Sequence, residues 1–110
     1  MNSLIYKKLK EIAKKQDTKN YSQLASDCNI PYTSVDERNS FHQFLGEISI
    51  HEVKNKRPML SVLVHHMGDI LRTPGQGFFN LADELNQRKE GETDKEMQFR
   101  IIKECWAYWK

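Results

Sequence analysis

Ser61–Phe79, SVLVHHMGDILRTPGQGFF, is the stretch that decides how this chain folds. It continues an apolar run, Met59–Val64, bounded by Pro58 and too short for a free-standing helix. Two valines and a single polar interruption, Ser61, predict a strand over 59–64. His65–Arg72 reads as a hairpin-like excursion, with its turn at Gly68 and Asp69 and with Ile70 and Leu71 pairing back on the strand. Pro74-Gly75-Gln76-Gly77 reads as a tight connection that needs positive φ at glycine. A helix is expected over Phe78–Asn86, with Phe78, Leu81, Ala82 and Leu85 inward.

His65 and His66 raise the question of a metal or catalytic site. Neighbours in a strand point to opposite faces, so only one of the two serves a given site. A zinc-type site needs three or four converging ligands. The other histidines, His42 and His51, lie nine positions apart in one predicted helix, about half a turn around it. No metal and no cofactor is expected. His66, Asp69 and Glu52 make an acid–base set on paper, but Ser61 lacks the strand-to-helix elbow of a nucleophile. No catalytic residue is assigned, and an enzyme is the less favoured reading.

Upstream, Leu4, Ile5, Leu9, Ile12 and Ala13 recur at helical spacing over residues 3–16, with lysines on the other face. Asn20 and Gln23 have capping-box spacing before a second helix carrying Tyr21, Leu24, Ala25 and Cys28 inward, which Pro31 ends. Ser34 and Glu37 repeat that spacing, with Asn39 and Ser40 as an alternative start, before a third helix that buries Phe41, Phe44, Leu45 and Ile48. Lys54, Lys56 and Arg57 cluster at its C-terminus, where cations are favourable. Downstream, Thr93 and Glu96 cap a last helix rich in Met97, Ile101, Ile102, Cys105, Trp106, Tyr108 and Trp109.

A chain of 110 residues makes one domain: a helical part over 1–58, a strand and wing over 59–77, and C-terminal helices over 78–110. Net charge is +2, with six lysines against Glu11 and Asp17 in the first twenty residues. This is far from the strongly basic balance of a dedicated nucleic-acid binder. No window approaches the roughly 18 apolar residues of a membrane span, and the lysine-studded N-terminus does not read as a signal peptide. Cys28 and Cys105 are widely separated, as free thiols of a reducing compartment would be. A cytoplasmic protein without a membrane partner is expected.

The fold class is therefore mainly α with a small β-hairpin. Helix, helix, helix, hairpin and further helices is the order of a winged helix-turn-helix-like single domain with additional C-terminal helices. Within that order, YSQLA, FHQFLGEI, LVHH and GQGF resemble the DNA-binding domain of the O6-alkylguanine alkyltransferases and alkyltransferase-like proteins. Tyr21, Leu24 and Ala25 match its Tyr-Gly-x-Leu-Ala helix, Leu45 and Gly46 its small-residue helix, Leu63–His65 its apolar run, and Gly75–Phe78 its glycine turn. The Pro-Cys-His-Arg motif is absent, so the resemblance implies a DNA-binding shape and not alkyl transfer. The chain also resembles small bacterial and phage proteins without assigned activity that share P-x-L-S-x-L-V and P-G-x-G-F-F.

The expected function is non-catalytic binding of duplex DNA. Arg38, Asn39, His42 and Gln43 would present from the third helix, and His65, His66 and Arg72 from the wing. Asp36, Glu37 and Glu47 oppose phosphate on the same surface. The alternative is a protein-interaction module of immunity, antitoxin or anti-defence type. It would bind a protein partner, or a second copy as a homodimer, through Trp106, Tyr108 and Trp109.

Overall fold

A short apolar segment, Leu60–Leu63, is the hub of the molecule. A computed structural model describes all residues, Met1–Lys110. In chain order it contains α1 (Ser3–Lys14), β1 (Lys19–Asn20), α2 (Tyr21–Asp27), α3 (Val35–Lys54), a 3-10 turn (Leu60–Leu63), β2 (Val64–His65), α4 (Gln76–Glu84) and α5 (Asp94–Trp109). The 3-10 turn touches α1, α3 and α5, and Met59, Leu60, Val62, Leu63 and Val64 are completely buried.

The expected strand over 59–64 is thus replaced by a helical turn over most of its length. The residues are enclosed on every side, so no polar and apolar faces alternate. A turn that bonds its own backbone needs no partner strand. Only Val64 and His65 form a strand, and they pair in parallel with β1, Lys19 opposite Val64 and Asn20 opposite His65. Ile70 and Leu71 do not pair back. The excursion still folds on itself: His66 N–H donates to Thr73 O at 3.2 Å, and Gly68 turns at φ 77°. The architecture is mainly helical with one small two-stranded sheet.

Local sequence accounts for the helix starts. The Asn20/Gln23, Ser34/Glu37 and Thr93/Glu96 capping boxes all form. The inward faces are as expected for Ile5, Leu9, Ile12, Ala13, Tyr21, Leu24, Ala25, Cys28, Phe41, Leu45 and Ile48, whereas Leu4 is exposed. Helix α4 begins two residues earlier than Phe78, and the glycine requirement there differs from expectation. Gly75 is its N-cap at φ −64° and Gly77 lies in its first turn; neither adopts positive φ. A Cβ at Gly75 would lie 3.4 Å from the Tyr21 hydroxyl and 3.6 Å from His66 Nε2, at ordinary contact distance, so neither φ nor crowding demands glycine there.

Two polar clusters sit inside the apolar core. Ser49 of α3 and Ser61 of the 3-10 turn share a 2.6 Å hydrogen bond. Glu52 is fully buried and accepts from Tyr6 Oη at 2.6 Å, Arg57 Nε at 3.0 Å and Arg57 Nη2 at 3.1 Å. Arg57, expected in a basic cluster at the C-terminus of α3, has its guanidinium bonded to this carboxylate. The radius of gyration, 12.9 Å, matches the roughly 13 Å of one compact domain of this length.

The α4–α5 connection is clamped by charge. Arg100 donates to both oxygens of Glu92, at 2.7 and 2.9 Å, and to Gln87 O at 2.7 Å. These bonds hold the Glu92 carboxyl down to about 2, against a smaller opposing effect of burial. An unfolded glutamate titrates near ~4.3, so the unfolded chain binds more protons in this window. The clamp's contribution is therefore complete above about pH 5 and drains away as pH falls toward 2. Thermal melts should show wild type above Glu92→Gln at pH 7 and the gap closing near pH 2. A gap that persists unchanged at low pH would refute the assignment.

Candidate functional site

Four separate elements meet around the ring of Tyr21. Tyr21 opens α2 and is 5% exposed. His42, from the N-terminal half of α3, lies 4.4 Å from it between ring centroids, and His66, just after β2, lies 5.3 Å away on its own approach. The fourth element is the start of α4: Gly75 N–H donates to Tyr21 Oη at 2.7 Å. Tyr32 joins from the α2–α3 connection, its hydroxyl 2.9 Å from His42 Nε2.

Tyr21, His42, His66 and Gly75 border an open cavity of about 310 Å3 whose lining includes Leu45, Gly46, Ser61, Gln76, Gly77, Phe78 and Leu81. No acidic residue lines it. Burial, then the proximity of His66, then Arg38, lower the His42 pKa, so its imidazole is neutral at pH 7. Burial likewise pushes the Tyr21 phenol up to about 12; it remains a neutral O–H. The cavity thus offers hydrogen-bonding nitrogens and hydroxyls between aromatic rings and an apolar floor. That arrangement suits recognition of an uncharged polar or acceptor-rich group.

The arrangement does not assemble a nucleophile with a base. The Ser61 hydroxyl is bonded to Ser49. The acid–base set of His66, Asp69 and Glu52 is not brought together. Glu52 is enclosed by Tyr6 and Arg57, and Asp69 accepts from Leu71 N–H at 2.8 Å. His42 and His51 serve opposite surroundings, His51 packing on Tyr6. No cluster of three or more His, Cys, Asp or Glu side chains has the convergence to hold a metal ion. Both thiols are buried, and burial pushes both their pKa values up.

The seven residues expected to face DNA divide into two groups. Arg38, Asn39, His42 and Gln43 fall at i, i+1, i+4 and i+5 of α3, on one helical stripe. Arg38 Nη1 donates to Thr33 O at 2.6 Å, and Asn39 and Gln43 are exposed. His66 joins this group at the cavity. His65 and Arg72 belong to the other side of the excursion, where His65 Nε2 lies 3.2 Å from Thr18 Oγ1 and Arg72 Nη1 donates to the same oxygen at 3.3 Å. The two histidines do take opposite faces. The opposing charge on α3 persists: Thr33 and Ser34 donate to the Glu37 carboxylate at the helix N-terminus, and these bonds lower its pKa and keep it ionised.

The C-terminal aromatics are also divided. Trp106 packs on the core, its indole N–H donating to Asp17 O at 3.1 Å. Trp109 packs there too, with its buried Nε1 lacking a hydrogen-bond partner. Tyr108 is exposed. What sequence reasoning missed was the meeting of Tyr21 with both His42 and His66, because 45 residues separate Tyr21 from His66 and no periodicity links them. No helix of the chain is long and apolar enough to cross a membrane.

Fold and site together define a small helical domain with a cavity lined by polar and aromatic side chains. No family model, no curated protein and no solved structure matches the chain.

Proposed function

We propose that the protein binds duplex DNA without catalysing a reaction on it, using the N-terminal half of α3 together with the adjoining cavity edge at His66. One observation carries this reading: Arg38, Asn39, His42 and Gln43 share a stripe of α3 that ends at a cavity free of acidic side chains. Arginine matches the acceptors of guanine and amide side chains match adenine, so such a stripe can read base edges in a major groove. The resemblance to the alkyltransferase-like DNA-binding domain adds a second support. His65 and Arg72, on the opposite side of the excursion, are not part of this contact.

With a net charge of only +2, affinity rests on few phosphate contacts, and binding is expected at micromolar protein and low salt. Fluorescence anisotropy with a labelled 20-base-pair duplex measures it. Arg38→Ala together with Gln43→Ala should weaken binding by about tenfold, and Arg38→Ala alone should reduce the salt slope by roughly one if it meets a phosphate. Gln43 is exposed and Arg38 is half-buried with one bond to Thr33 O to lose, so thermal stability should change little. Absence of binding at micromolar protein, or binding indifferent to the double substitution, would sink the proposal.

A further inference from the structure

The far side of the His66–Thr73 excursion carries an apolar surface that neither the core nor the α3 stripe uses. Ile70 is 94% exposed, Leu71 54% and Phe99, on α5, 44%. These three residues face a groove of about 290 Å3 between the excursion and α5, lined also by Thr18, Arg72, Ile102, Lys103 and Trp106. Scattered exposed hydrophobes are ordinary on any surface. Three of the largest gathered on one groove are the mark of an interaction site.

The polar groups at the base of the groove already have partners within the protein. The Trp106 indole N–H is consumed by Asp17 O, and Thr18 Oγ1 is engaged by His65 and Arg72. Its only charged lining residues, Arg72 and Lys103, are both cations, and neither belongs to an ion pair. Asp69 accepts from Leu71 N–H and Asp17 from Thr18 N–H, and neither lines the groove; Glu96 and Glu104 border the adjoining surface beside Phe99 and Lys103. An apolar trough between two unpaired cations is complementary to one kind of occupant. We infer that this groove docks a short segment of a protein partner that presents aliphatic or aromatic side chains flanked by aspartate or glutamate.

Charge also argues against a second copy of this chain. A two-fold contact through the groove places the same patch on both subunits. Both copies would then bring Arg72 and Lys103 into one interface, with no acid lining the groove to offset the four cations. The inference is independent of DNA binding, because the residues of the α3 stripe do not line this groove.

The test is selection of a displayed library of random 16-residue peptides on the intact protein. An Ile70→Ser, Lys103→Glu variant serves as the counter-target, followed by fluorescence polarisation with the strongest peptide. Ile70 and Lys103 are both exposed, so thermal melts of the variant should match wild type. The expected enrichment is for peptides that combine two or more large apolar residues with an excess of Asp and Glu. Their affinity should fall about tenfold with either single substitution, and the Lys103→Glu loss should shrink at high salt. Three outcomes overturn the inference: no enrichment over the variant, enrichment without acidic bias, or peptides that bind the variant equally well. A concentration-dependent dimer in sedimentation that Ile70→Ser dissociates would overturn it too, by making a second copy the occupant.

Discussion

Glu52→Ala should lower stability by about 3 kcal/mol, the usual cost of breaking a buried ion pair by removing one partner. For a domain of this size that is a drop in Tm of roughly 12 °C. Glu52 is completely enclosed and is the shared acceptor of Tyr6 from α1 and Arg57 from the chain after α3. Removing it opens a polar void and leaves the Tyr6 hydroxyl and the Arg57 guanidinium without their acceptor. Arg57 retains partial access to solvent, which caps the loss. Glu52→Gln keeps the volume and one acceptor oxygen, so it should fall between Ala and wild type. Joint replacement, Glu52→Leu with Arg57→Met, should recover part of the deficit, because an apolar pair avoids the desolvation that the ion pair carries. Chemical denaturation checks all three; a Glu52→Ala protein as stable as wild type would show that the network contributes nothing net.

Gln98→Leu should cost about 2 kcal/mol and, more tellingly, release the excursion that borders both proposed surfaces. Gln98 is fully buried on α5. Its amide donates to Leu71 O at 3.0 Å and Arg72 O at 2.9 Å, and its oxygen accepts from Lys95 Nζ at 3.1 Å. Lys95 also bonds Thr73, whose carbonyl closes the excursion on His66. Leucine fills the volume but donates nothing, so two carbonyls lose their partners at about 1 kcal/mol each. Amide exchange over residues 66–73 should accelerate while α1 and α3 remain protected. Gln98→Glu should be worse, since a carboxylate cannot donate to those carbonyls and would be charged inside the core. Unchanged exchange in the excursion would mean that Gln98 does not hold it.

Both side chains mark the limit of what the sequence discloses. The helices were legible because their information is local: each capping box lies within four residues, and each inward face follows from helical periodicity. The Met59–Val64 run was not, because a short apolar segment buried on every side has the same composition as a strand and as a buried turn. Its form is decided by the α1, α3 and α5 surfaces around it. The sheet was misread for a related reason. The partner of β2 is β1, more than forty residues upstream, and not the adjacent Ile70 and Leu71. Glu52 resembles any exposed helical glutamate until Tyr6 and Arg57 are known to meet it. The cavity shows the same pattern: His42 and His66 were both singled out, but only the fold reveals that they share Tyr21.

The position of Leu60–Leu63 bears on how the molecule is made. This segment is synthesised before α4 and α5, yet it is covered by the first helix, the third and the last. Until α5 emerges, its four side chains and Met59 have only part of their enclosure. The nascent chain therefore cannot fully enclose this apolar tract until α5 has been made, and cooperative closure waits for that helix. Residues 1–64 alone lack one of the three surfaces that cover the tract. The yield of the protein in the cell depends on what shields that tract in the interval.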